Sequence, residues 1–155
     1  MPSVGRTMTR RQGFTIIELV IALMVGIILT SIALSSFGGA RASFAVRGAR
    51  NTFTTLVART RAQAIESGST VRLMVSVGGD SAYITKDGTT LDAVHFGDEF
   101  HVDLKSSVGD FRLCMNSRGY GDTGCNNFSS TVRLEFWQGS DSATVKVLPL
   151  GQLVY

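Results

Sequence analysis

Few residues in this 155-residue chain combine chemically active side chains with a spacing that chemistry can use. His95, Asp98, Glu99 and His101 form the one cluster of metal-ligand types, but strand alternation turns Val94, Phe96, Val102 and Leu104 inward and leaves both histidines facing solvent. Asn116, Asp122, Asn126 and Asn127 offer oxygens of the kind calcium takes, with too few carboxylates among them. Gly119-Tyr120-Gly121-Asp122-Thr123-Gly124 has dinucleotide-loop spacing, yet no helical pattern follows to present the N-terminus that would cradle a phosphate. Asp122-Thr123-Gly124 has the order of a catalytic aspartate loop but lacks an apolar strand leading into it. Gly79-Asp80-Ser81 is followed by Ala82 and Tyr83 where a serine nucleophile needs an oxyanion-forming Gly. The glycine-containing motifs read as turn chemistry. No catalytic residue, metal site or cofactor is expected, and an anchored enzyme is disfavoured.

Glu18 is a different kind of candidate. It stands just before Leu19 to Ala40, 22 residues without a charge, which as a helix extend about 33 Å and match a bilayer core. An ionised group at the membrane centre costs on the order of 2.5 to 3.5 kcal/mol, and less near the edge, so such residues are functional candidates by default. Arg6, Arg10 and Arg11 precede the run and Arg41 follows it, favouring a cytoplasmic N-terminus with the C-terminal part outside. A secretory signal cut at Ser31-Ile32-Ala33 fits poorly, because the apolar stretch is long for that role. An ordinary anchor gives no reason for Glu18.

The elements that must carry these residues follow from periodicity. Val46, Ala49, Phe53, Leu56, Thr60 and Ala64 recur at three and four residues, predicting that the helix continues to about Ser67 with one buried stripe and Gly68 as C-cap. Gly38-Gly39 and Gly48 are soft spots in it, at about 1 kcal/mol each relative to Ala. Short alternating or β-branched runs follow at Thr70 to Val77, Ser81 to Thr85, Ala93 to Phe96, His101 to Lys105, Phe111 to Met115, Thr131 to Gln138, Ala143 to Leu148 and Gln152 to Tyr155. Gly78-Gly79-Asp80, Asp87-Gly88 and Gly139-Ser140-Asp141 are the turn signals between them. The pattern is α+β: a long N-terminal helix, transmembrane in its first half and amphipathic in its second, packed on an antiparallel β-sheet domain.

The formal charge is +3, but the three arginines before the apolar run account for it and leave twelve basic against twelve acidic residues. From Leu73 onward ten acidic residues face six basic ones, which argues against a broad nucleic-acid footprint there. Cys114 and Cys125 both fall in the half placed outside the cytoplasm. A disulfide between them is permitted there and would be worth about 2 to 3 kcal/mol for so short a loop, two reduced thiols being the alternative.

Arg10-Arg11-Gln12-Gly13-Phe14-Thr15-Ile16-Ile17-Glu18-Leu19-Val20 resembles the class III signal of type IV pilins and pseudopilins: a basic leader ending in Gly, then Phe, a Glu four residues on and a long apolar helix. The resemblance implies a prepilin peptidase cutting between Gly13 and Phe14, N-methylation of Phe14, and Glu18 as the assembly residue that pairs with the terminal amine of a neighbouring subunit. It implies a cleaved leader over 1–13, a transmembrane and assembly helix over 14–40 and a periplasmic pilin-like domain over 41–155. The protein would lie in the bacterial inner membrane as a single pass and then join other subunits in a pilus or pseudopilus. Translation from Met8 would leave a six-residue leader, Met8 to Gly13.

Leu56-Val57-Ala58-Arg59, Ala62 to Val71, Phe111 to Gly119 and the closing Val145 to Val154 are similar to the H-type minor pseudopilins of type II secretion and to the FimT and FimU minor pilins. Two departures stand out. Ser35 occupies a position where relatives often carry Pro, and Gly151-Gln152-Leu153-Val154 replaces a Gly-Arg-x-Arg turn. The resemblance therefore implies a non-enzymatic minor subunit. The competing implication is a FimT-like receptor for extracellular DNA, with Arg112, Arg118 and Arg133 as phosphate contacts, against which the acidic distal half and the missing arginine pair both count.

Overall fold

The computed structural model describes residues 15–155, with side-chain surroundings for all of these except 33–38. The described residues divide into two units at Gly38, 15–38 and 39–155. A single helix, α1 (Ile16–Ser67), supplies the described part of the first and opens the second.

In the second unit the periodic stripe does what its spacing requires. Val46, Ala49, Phe53, Leu56, Thr60 and Ala64 are all buried, joined by Val57. Thr60 is tolerated there because its hydroxyl donates to the Leu56 carbonyl at 2.8 Å. The helix stops at Ser67 because Gly68 adopts φ +58°, a left-handed conformation open to Gly at little cost, while its N–H turns back to the Ile65 carbonyl. Gly48 has a packing reason: a Cβ there would meet the Phe100 ring at 3.2 Å.

Eight strands follow: β1 (Val71–Ser76), β2 (Ser81–Lys86), β3 (Thr89–His95), β4 (Asp103–Ser106), β5 (Phe111–Met115), β6 (Val132–Gln138), β7 (Asp141–Val147) and β8 (Leu153–Val154). Every pairing is antiparallel. The strands form two four-stranded sheets, β3-β2-β1-β5 and β4-β6-β7-β8. Asp87 and Gly88, at φ +49° and +83°, make the two-residue turn that the Asp-Gly pair predicts between β2 and β3.

One expectation fails locally. The run Ala93 to Phe96 does not end as a strand, because Phe96 begins a short helix, α2 (Phe96–Phe100). The Phe96 N–H donates to the Asp80 carbonyl at 2.7 Å, and His101 closes the turn at φ +56°. This break separates β3 from β4 and places them in different sheets. The core gathers around it, with Phe96 and Phe53 set against Phe136 at ring separations of 5.4 and 6.0 Å.

Candidate functional site

The N-terminal unit begins with a capped helix start. The Thr15 hydroxyl accepts the Glu18 N–H at 3.3 Å and the Thr15 carbonyl accepts the Leu19 N–H at 3.2 Å, so Thr15 is the N-cap and Glu18 the third helical residue. Thr-x-x-Glu is the capping-box spacing. The Glu18 carboxylate, exposed in the first turn, also lies where the positive end of the helix dipole favours a negative charge. Glu18 therefore has a local role in starting the helix besides any role between subunits.

From Ile16 to Leu29 the large apolar side chains are exposed, Ile16 at 86 % and Leu29 at 62 %. Burying each against a partner would be worth about 1.5 to 3 kcal/mol, and patches of this extent mark protein or membrane contacts. The hydroxyls that follow it are internally satisfied: Thr30 donates to the Gly26 carbonyl at 2.7 Å and Ser31 to the Ile27 carbonyl at 2.9 Å. An open groove of about 820 Å³ lies along it, with Glu18, Ala22, Gly26 and Thr30 in its lining.

Among the described residues no helix is long and apolar enough to cross a membrane, and the span expected over 14–40 is only partly covered by them. The side chains of 33–38, and the Gly13–Phe14 junction with the leader, lie outside the described residues.

In the second unit, Cys114 and Cys125 are joined by a disulfide with Cα atoms 5.8 Å apart. The bond anchors a loop that runs beside β5 and imitates a strand with side chains. Asn127 Oδ1 accepts the Arg112 N–H at 2.7 Å and Asn126 Oδ1 accepts the Cys114 N–H at 2.8 Å. The open edge of the sheet is thereby capped.

The oxygens considered for calcium are taken up in the same way, Asn116 by the N–H groups of Arg118 and Tyr120 and Asp122 by that of Gly124. Gly121 serves close packing, since a Cβ there would collide with the Pro149 carbonyl. Among the described residues, no three His, Cys, Asp or Glu side chains come together as a metal site. His95 and His101 are both exposed.

Asp80, weighed above only as part of a nucleophile motif, is a structural joint. Its Oδ1 accepts the Leu104 N–H at 2.6 Å while its backbone carbonyl accepts Phe96, so one residue ties the β1–β2 turn to α2 and β4. Nothing local in the sequence signals this, because the partner lies 24 positions away.

At the C-terminal turn, Arg61 of α1 donates to the Gly151 carbonyl at 2.9 Å and Arg50 lies over the Tyr155 ring at 5.1 Å. Of the three arginines considered for DNA, Arg112 is tethered by Nε to the Cys125 carbonyl, Arg118 sits in the 116–120 turn and Arg133 lies 4.0 Å from Glu135.

Residues 8–34 match the family model described as the prokaryotic N-terminal methylation motif. The fold is similar to that of the type IV minor pilin FimU of Pseudomonas aeruginosa in two crystal forms. One matches with a TM-score of 0.51 at 10 % identity, over 70 % of this chain and 86 % of that one. The other matches at 0.50 and 11 %, over 70 % and 90 %. The fold of this chain is thus pilin-like, and its N-terminal segment carries the methylation motif. No curated protein matches the chain. The matched residues include the capped helix start, Glu18 and the exposed apolar side chains from Ile16 to Ile32.

Proposed function

We propose that this chain is a minor subunit of a type IV pilus or secretion pseudopilus, without enzymatic activity of its own. A prepilin peptidase cuts between Gly13 and Phe14 and methylates the new terminal amine of Phe14. The protein waits in the inner membrane with its C-terminal domain in the periplasm, the uncharged run to Ala40 completing the span, and is then drawn into the filament through its helix.

The observation that carries this reading is the helix start. The methylation motif leads into a helix capped at Thr15, which displays an exposed carboxylate at Glu18 and then exposed apolar side chains. In a filament those side chains would be buried by neighbouring helices. Glu18 would lie about one turn from its own amine, within reach of a neighbour's. At low dielectric such a pairing is strong and an unpaired carboxylate costly, so it favours a single stagger. Ala22, Gly26 and Thr30, four residues apart, allow close helix approach. Minor rather than major status is supported by the likeness to FimU.

The test is complementation of a deletion strain with Glu18→Gln. The expected result is a processed protein that stays in the membrane fraction and is depleted from sheared filaments. Incorporation at the wild-type level would refute the role given to Glu18.

A further inference from the structure

We propose that the outer face of the β3-β2-β1-β5 sheet binds a phosphate-class oxyanion through Arg72 and Arg112. The register sets the geometry. Arg72 pairs with Thr85 on one side and Cys114 on the other, and Met74 pairs with Tyr83 and Arg112. Alternate residues share a face, so the two arginines are diagonal neighbours on the side opposite buried Leu73, Val75, Ile84 and Leu113. Both arginines, with Met74, Tyr83 and Thr85, line a cleft of about 380 Å³ that Gly124 and Cys125 also border.

The charges in this cleft are unbalanced. The ion pairs among the described residues are Arg59 with Asp92 and Arg133 with Glu135, so neither cleft arginine has a carboxylate partner. Arg112 is held by its Nε bond to the Cys125 carbonyl at 3.1 Å, a carbonyl positioned by the disulfide. The Asp122 carboxylate, which accepts the Gly124 N–H through Oδ1, does not line the cleft. Like charges on diagonal strand neighbours repel unless an anion bridges them. Guanidinium forks match phosphate oxygens, and the hydroxyls of Tyr83 and Thr85 add donors that a tetrahedral dianion can use better than a carboxylate. The inference rests on this face alone and is independent of the assembly reading.

The test is an amide NMR titration of the full chain in detergent micelles with inorganic phosphate, exchanged for chloride at constant ionic strength. Saturating shifts confined to the surroundings of Arg72, Thr85, Arg112 and Gly124 are expected. Arg72→Gln should weaken them about tenfold or more. Thr85→Glu, which places a carboxylate opposite Arg72 while keeping both arginines, should abolish saturation. Arg59→Gln should leave binding unchanged. Tighter binding of phenyl phosphate would assign the cleft to a phosphomonoester whose organic part lies on Tyr83 and Met74, and equal binding would assign it to the free ion. Shifts that grow linearly with phosphate, or that persist equally in Arg72→Gln and Thr85→Glu, would overturn the proposal.

Discussion

The two ends of α1 use similar residues to opposite ends. Between Val46 and Ala64 the apolar side chains recur every three or four positions and are buried, with polar and charged residues between them. Between Ile16 and Leu29 apolar residues occupy every face and are exposed. A stripe can be satisfied by one sheet domain of the same chain, whereas an all-round apolar surface can be satisfied only by an environment that surrounds it. The segment from Val46 to Ala64 is thus committed to folding, while that from Ile16 to Leu29 is left for surroundings outside the C-terminal unit.

Truncation should separate the two roles. Phe53→Ala, which empties a fully buried site against Phe136, is expected to cost about 3 to 5 kcal/mol in denaturant unfolding of the full chain. Leu23→Ala, at an exposed position, should leave unfolding of the C-terminal unit within about 0.5 kcal/mol of wild type. It should instead reduce recovery in sheared filaments. Equal destabilisation by both would erase the distinction.

Reducing the disulfide, or replacing both Cys114 and Cys125 by Ser, should lower stability by about 2 to 3 kcal/mol. Loss of amide protection should concentrate along β5 and the 116–127 loop, as hydrogen exchange can show. Asp80→Ala, which leaves the Leu104 N–H without its acceptor, should cost about 1 to 3 kcal/mol. The smallest effect belongs to the helix start: Thr15→Ala should cost about 0.5 to 2 kcal/mol locally, seen as faster exchange of the Glu18 amide with no change in global unfolding.

Much of this architecture was legible in the chain because it is written in local periods. The stripe from Val46 to Ala64, the Gly68 stop and the Asp87-Gly88 turn each depend on neighbours within a few residues, and all occur as their spacing predicts. The misses depend on distant partners. The eight runs do not reveal two sheets, because the division rests on Asp80 holding Phe96 and Leu104. Thr89 to Asp92 carries no alternating apolar signal, since β3 lies at a sheet edge and is mostly exposed. Glu18 stood out by composition, but its place at the third position of a capped helix becomes evident only once Thr15 is seen as the N-cap. Arg72 gave no signal, because its relation to Arg112 comes from strand register.

The central claim is that the matched motif is a working processing signal, and the most direct test is the intact mass of the protein co-expressed with a prepilin peptidase. The account predicts loss of residues 1–13 and gain of one methyl group on Phe14, with Gly13→Val, which adds a branched side chain at the cleavage subsite, left uncut. A full-length mass in the presence of active peptidase, or normal trimming of Gly13→Val, would contradict it.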